Sequence, residues 1–368
     1  MDPRVAQAMR PFFEGAFGNP SSLHRAGRIA KQALDLARRQ TADLLHADAK
    51  EIIFTSGGTE ADNMALFGIS DALHHDLHII TSPIEHPAVT NAVKHLQLLG
   101  AEITFLPVGS DGIIDPAELA KNMRPTTRLV SIMAANNVVG TIQPIAELGR
   151  IAREHGAWFH TDAVQAFGKI PLDMRSLPVD LLSLSAHKLH GPKGIGALYV
   201  RKGIPLNPIV RGGGQESGFR SGTENVAGIV GLGQAAEIAG AEMSGEATRL
   251  VGLRDRIIDK VAEALPNSYL IGDRYKRLPG HICLGFRGWE GKAIKMLLAM
   301  DDAGIEISSG SACSSSHVSE PSQILLAMGF DPIRARGSMR ITLGRFNTEA
   351  EADRFLTILP TVLSAAMR

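Results

Sequence analysis

Cysteine is scarce: Cys283 and Cys313 are the only two in 368 residues. That excludes a disulfide framework and fits thiols kept in a reducing compartment. An excess of one charge is missing as well. Lys and Arg total 38, and Asp and Glu total 38. No general field draws nucleic acid or an anionic membrane, so a small-molecule partner is favoured. No apolar run approaches the roughly 20 residues of a membrane-spanning helix. The start, Met1-Asp2-Pro3-Arg4, lacks the apolar stretch of a signal peptide. Repeats and low-complexity linkers are absent too. The expectation is a cytoplasmic protein with neither nucleic acid nor membrane as partner.

What is present is material for a large core, at 44% hydrophobic residues, in a length that suggests one big domain and a smaller one. From about Glu51 to Val200, short apolar or β-branched runs alternate with helix-like stretches, the pattern of an α/β fold with a mostly parallel sheet. Strands are expected at 51–55, 78–82, 102–107, 128–134, 157–161 and 179–185. The run Gly194 to Val200 follows a Gly-Pro turn too closely for a helical crossover and should return antiparallel. A first long helix is expected after Ser21 or Ser22 as cap, with Ala26, Ile29, Ala30, Ala33, Leu34 and Ala37 on a small-residue face. Asp115-Pro116 should open another, with a cap and a first-turn proline. From about Ala241 charge rises, and a helical pattern through Leu253, Ile257, Ile258 and Val261 marks passage into the second domain.

In open α/β sheets ligands bind beyond the carboxyl ends of the strands, so polar residues at those ends carry weight. After 51–55 comes Ser56-Gly57-Gly58-Thr59-Glu60, a glycine-rich opening to a helix whose free N–H groups suit a phosphate. Alone, an ordinary strand-to-helix turn explains it equally well. His86 follows 78–82, Asn136 and Asn137 follow 128–134, and Asp162 follows 157–161 with Gln165 close behind. Each singly reads as a cap or a solvated loop residue; their shared edge is the stronger signal. Lys188 lies in Ser185-Ala186-His187-Lys188 at the end of the apolar strand 179–185. There desolvation and nearby cations favour a neutral, nucleophilic amine, as a Schiff-base lysine requires; isolated from its neighbours, it reads better as a surface lysine before a turn.

Taken together these segments resemble the cysteine desulfurases of the NifS and IscS type, in the class V, fold-type I aminotransferase superfamily. The resemblance runs from Asp2 to the C-terminus through F-G-N-P-S-S (17–22), F-T-S-G-G-T-E (54–60), E-H-P-A-V (85–89), N-N-V-V-G (136–140), T-D-A-V-Q (161–165), S-A-H-K (185–188), G-P-K-G-I-G-A-L (191–198), R-S-G-T-E-N (220–225), S-S-G-S-A-C (308–313) and L-G-R-F (343–346). So many ordered matches are far more specific than any one of them. The resemblance implies an α/β chain of the pyridoxal-phosphate fold type I. A large domain, 12–245, would hold a mixed, mostly parallel seven-stranded sheet between helices. A smaller α+β domain, 1–11 and 246–368, would carry the catalytic cysteine and the substrate-carboxylate arginine.

By the same resemblance Lys188 forms the Schiff base with pyridoxal 5'-phosphate and later moves protons. Asp162 bonds the pyridine nitrogen, whose positive charge makes the ring an electron sink. His86 stacks on the ring and serves acid–base steps, Gln165 bonds the ring hydroxyl, and Asn137 contacts cofactor or substrate. Gly58, Thr59, Ser185 and His187 hold the phosphate, with Thr223 reaching across from a second subunit, so a homodimer is implied. Arg345 matches the anchor of the substrate carboxylate, which a planar guanidinium can grip through two parallel hydrogen bonds. No metal is expected.

Cys313, among serines and Gly310, has the composition of a loop able to travel, and in the family it takes sulfur from L-cysteine as a persulfide, releasing L-alanine. The sulfur acceptor would be a protein such as an iron–sulfur scaffold. Cys283, inside Ile282-Cys283-Leu284, reads as a buried packing residue. Two departures stand out: the short strand and Asn-Ala-Thr-Thr-Pro-like turn that usually precede Asp-Pro-Arg-Val are absent, and Val138 replaces a common Glu beside Asn137. Two other readings stay open, namely a related reaction such as selenocysteine lysis or transamination, and a weakly active homologue that relays sulfur or binds a partner.

Overall fold

The computed structural model describes residues 1–73, 77–310 and 320–366. Its main sheet has seven strands: β1 (Ile52–Thr55), β2 (His78–Thr81), β3 (Glu102–Phe105), β4 (Thr127–Ser131), β5 (Trp158–Asp162), β6 (Leu181–Ser185) and β7 (Gly196–Val200). They lie in the order β1-β7-β6-β5-β4-β2-β3. Neighbours from β3 to β6 pair parallel, and β7 runs antiparallel to both β6 and β1. The link from Ser185 to Gly196 is too short to cross a face of the sheet. Gly194 sits in the left-handed region, φ 77°, where glycine meets no steric penalty, and the chain turns straight back.

A parallel sheet needs both faces covered. Strand β6, Leu-Leu-Ser-Leu-Ser, is buried at every position, and an apolar cluster occupies each face. One unites Phe159, Leu182, Leu184, Leu232 and Ala236. The other packs Met64, Leu66, Ile69 and Val93 against Ile79, Leu129 and Leu198.

The remaining strands, β8 (Ser268–Leu270), β9 (His281–Phe286), β10 (Ser308–Ser309) and β11 (Ser338–Thr342), form an antiparallel sheet in the order β10-β11-β9-β8. Its core joins Ile282, Leu284 and Phe286 to Met296, Met300, Phe355 and Leu359 of two helices. Passage between the sheets is made by one continuous helix, Val226–Ala264. Its first half buries Ile229, Leu232 and Ala236 against the large sheet, and its second buries Leu253, Ile257 and Val261 against the small one. A junction cluster of Ile84, Val138 and Val139 with Ile271, Cys283 and Leu325 closes the gap.

Three expectations need correction. The first long helix begins at Arg25, not directly after Ser21 or Ser22. His24 caps it, its Nδ1 accepting from the Gly27 N–H at 3.2 Å. Ser22 instead belongs to a preceding turn, its N–H donating to the Asn19 carbonyl at 3.0 Å. Of that helix's expected apolar face Ala30, Leu34 and Ala37 are buried, whereas Ala26 and Ile29 are exposed. Finally, residues 1–11 do not pack as part of the smaller unit. Val5 and Met9 of the helix Pro3–Met9 enter the core of the large sheet, because its apolar side lies on the first half of the long helix.

Candidate active site

The carboxyl ends of β4, β5 and β6 meet the small sheet at a cavity of about 430 Å³, whose wall includes Asn137, Gln165, His187, Lys188, Arg340 and Arg345. On the large-sheet side short turns and caps place the side chains. Lys188 rides on the single 3-10 turn Ala186–Leu189 that ends β6, half-buried. His86 is the N-cap of the helix Pro87–Leu98, its Nδ1 accepting from the Ala88 N–H at 3.1 Å. That bond leaves Nε2 as the ring's outward atom. Asn137 is buried in the turn after β4, and its neighbour Asn136 braces that turn. The Asn136 Oδ1 accepts from the Val138 and Val139 N–H groups at 2.8 and 2.9 Å, and its Nδ2 donates to the Ile84 carbonyl at 2.9 Å.

Asp162 ends β5, buried, with Oδ1 accepting from the Val164 N–H at 2.9 Å. Burial pushes its carboxyl up; the Val164 N–H and the charge of Lys188 oppose that rise. The same lysine acts on His86, which burial and Lys188 together hold below the usual histidine range. Burial, then Lys188 and two further lysines, depress His187 likewise. One amine therefore lies within electrostatic reach of the carboxylate and both imidazoles, and each imidazole is held neutral, able to accept a proton.

Gly58 opens the helix Gly58–Leu73. A Cβ there would stand 2.6 Å from Val164 Cγ2 and 3.8 Å from Ser185 Cβ, so only glycine lets this helix start approach the ends of β5 and β6. Ser185 Oγ and His187 Nδ1 are hydrogen-bonded at 2.8 Å beside it. Thr59 is exposed on the first turn. Thr223 is exposed as well and has no place in the cavity wall. Cys313 lies outside the described residues. Cys283 is buried, and burial pushes its thiol up to about 12, which keeps it inert.

Several residues at or near the site were not singled out from the sequence. Lys169 lines the cavity, and burial, with Lys188, brings its amine down to about 8. Its Nζ donates to the Gln165 Oε1 at 3.2 Å, so the Gln165 amide must turn its NH2 elsewhere. Spacing of one helical turn after Gln165 was the available signal. Arg340 donates to the Asn137 carbonyl at 3.1 Å, which also bonds His281 Nε2 at 3.0 Å. Beneath the strand ends, His160 is fully buried between Ser131 Oγ (2.8 Å) and Ser183 Oγ (3.0 Å), with Asp62 at 3.7 Å. Burial and the nearby Asp162 push Asp62 up, and burial takes Glu85 up to about 8.

This fold recurs in known proteins. The family model for class V aminotransferases matches residues 1–355. The chain belongs to that family. A cysteine desulfurase IscS of Dictyoglomus turgidum is 49% identical over 98% of this chain and 91% of its own length. Among solved structures, a NifS-like protein superposes with a TM-score of 0.92 at 39% identity, covering 99% of this chain and 96% of the other. A structure described as SspA in complex with cysteine gives 0.82 at 35% identity, covering 95% and 97%.

The family's pyridoxal phosphate fits the residues present. The Gly58 helix start, with Ser185 and His187, offers donors to a phosphate. Buried Asp162 offers a negative charge to a protonated ring nitrogen, and Lys188 offers an amine between them.

Proposed function

We propose that this protein is a cysteine desulfurase, which converts L-cysteine to L-alanine and transfers the sulfur to its own Cys313 as a persulfide. The observation that carries the reading is that Lys188 and Arg345 line one cavity while buried Asp162 lies within electrostatic reach of Lys188. The bound cofactor supplies an aldehyde carbon for an amine and a ring that takes up the electron pair left when the substrate's α-proton departs.

The chain's own residues do the rest. Lys188 holds the cofactor and, once released, carries the proton from the substrate's Cα. Asp162 keeps the ring nitrogen protonated, while the Gln165 NH2, turned away from Lys169, donates to the ring oxygen. The Gly58–Thr59 helix start, Ser185 and His187 retain the phosphate, and Asn137 contacts cofactor or substrate. Arg345 pairs with the substrate carboxylate. His86, neutral and half-buried, accepts the thiol proton. The Cys313 thiolate bonds to the substrate sulfur as the C–S bond breaks, and the product carbon takes up a proton before alanine leaves.

Two copies complete the site in this reading, with Thr223 serving the partner's phosphate. The exposed Phe13, Phe17, Leu23 and Ile29 form an apolar stretch that a second copy would cover. A reducing, cytoplasmic setting and delivery of sulfur to an acceptor protein, such as an iron–sulfur scaffold, follow from the persulfide chemistry. Within the chain the cofactor-binding part ends near residue 245, inside the long helix.

The test is incubation of the cofactor-loaded protein with L-cysteine, followed by alanine assay and mass spectrometry of the peptide bearing Cys313. Alanine together with an added sulfur atom on Cys313 is expected. Alanine formed at an undiminished rate by Cys313→Ser would remove Cys313 from its role.

A further inference from the structure

Arg345 is not held by its immediate neighbours. Its Nη1 donates to Asp2 Oδ2 at 2.7 Å, and its Nη2 stands 3.2 Å from Glu242 Oε2. Its Nε is buried and, among the described residues, has no hydrogen-bond partner. A guanidinium offers a carboxylate two edges, Nη1 with Nη2 or Nε with Nη2. Asp2 takes Nη1 and Nε is closed to solvent, so the end that can turn to a ligand is Nη2, on a residue that lines the cavity.

Asp2 is itself rigidly placed. It is buried, and it caps the helix Pro3–Met9, with Oδ1 accepting from the Arg4 N–H at 2.9 Å. The Arg4 guanidinium reaches both its oxygens, Nε to Oδ1 at 3.1 Å and Nη2 to Oδ2 at 2.8 Å. The Asp2 N–H donates to the His190 carbonyl at 2.9 Å, and His190 ends the turn that carries Lys188. Next to Arg345, the Phe346 ring packs edge-on against the His190 ring at 5.3 Å. One residue thus ties the lysine turn through its backbone to the anchor through its carboxylate.

We propose that Asp2 is a positioning residue for substrate recognition: by gripping Nη1 of Arg345 while bonded to the lysine turn, it aims Nη2 at the substrate carboxylate. Arg4 makes this arrangement workable. Without a second guanidinium the Asp2 charge would cancel that of Arg345 and repel an anionic ligand; Arg4 pairs with Asp2 at 2.8 Å and with Glu242 at 2.6 Å, so each carboxylate has a cation other than the anchor. Glu242, the longer and more exposed contact, is the partner that yields when a ligand takes Nη2.

The inference rests on Arg345 as the carboxylate anchor, so its test includes that residue. The visible band of the cofactor-loaded protein is titrated with L-alanine and, as an amine without a carboxylate, with ethylamine. In Asp2→Asn an amide N–H faces the N–H of Arg345, and the dissociation constant for alanine should rise about tenfold, the scale of a lost charge-assisted bond. Ethylamine should bind as before, and Asp2→Glu should recover part of the loss. Arg345→Ala should weaken alanine at least as much as Asp2→Asn.

If Arg345→Ala weakens alanine but Asp2→Asn does not, the positioning role is overturned and the anchor stands. If Arg345→Ala changes nothing, the anchor assignment itself falls. Equal weakening of both ligands by Asp2→Asn would mean general disruption and would also overturn the role. Should that variant fail to load cofactor, Arg4→Met answers in its place: alanine binding must weaken while ethylamine binding holds, and unchanged alanine binding overturns the proposal.

Discussion

The two walls of the cavity are built on different principles. On the large-sheet side, Lys188, Asp162, His86 and Asn137 follow strand ends, and Asp162 and His86 are oriented by bonds to the neighbouring Val164 and Ala88. On the small-sheet side, Arg345 is held by Asp2 and Glu242, from remote parts of the chain. Groups that act on protons need a stiff, low-dielectric setting, which a buried parallel sheet supplies through its topology. A group that must grip and release an anion can be set by exchangeable ion pairs.

The sharpest way to break this contrast is on the stiff wall. Lys188→Ala should lower turnover by roughly 10³-fold or more and abolish the cofactor's covalent visible band, with the far-ultraviolet circular dichroism unchanged. A retained band would place the amine elsewhere. Next is the junction between the walls. Val138 is buried with Ile84, Cys283 and Leu325, so Val138→Glu should cost about 3 kcal/mol or more by desolvating a charge. Urea denaturation would measure it, and a loss under about 1 kcal/mol would mean that the pocket admits water.

Asn136→Ala removes the brace of the Asn137 turn and strands the N–H groups of Val138 and Val139, both in buried residues. A loss of about 2 kcal/mol is expected, readable in the same denaturation series, and equal stability would show that the turn holds itself. The gentlest test uses pH. The folded Glu85 carboxyl keeps its proton up to about 8, against 4.5 for an ordinary glutamate. Between those values the folded state binds more protons than the unfolded, so the stability it contributes is full below about 4.5 and lost as pH rises. The slope is roughly 1.4 kcal/mol per pH unit. Glu85→Gln, a mimic of the protonated form, should flatten it; a curve that stays steep assigns the slope to another group.

Much of the stiff wall was legible from residues alone. Apolar runs followed directly by His86, Asn137, Asp162 or Lys188 announce strands whose ends bear chemistry, and the close spacing of Ser185 and Gly196 forecast the antiparallel β7. The helix start at Arg25 was misplaced because serine is the commoner cap; the close packing of Gly27 on Ser22, a tertiary matter, turned Ser22 into a loop and left His24 to cap. Lys169 went unnoticed because a lone lysine between a glycine and a proline resembles any solvated loop residue.

Local chemistry in the chain was enough to determine the order of strands and helices and which strand ends carry an amine, an acid or an imidazole, since period and turn preference act over a few neighbours. Tertiary structure alone decided the helix that passes unbroken between two cores, the return of residues 1–11 to the larger core, and the clasp of Asp2 on Arg345. Each of those depends on surfaces hundreds of residues apart meeting in space, and no short-range pattern encodes the distance between them.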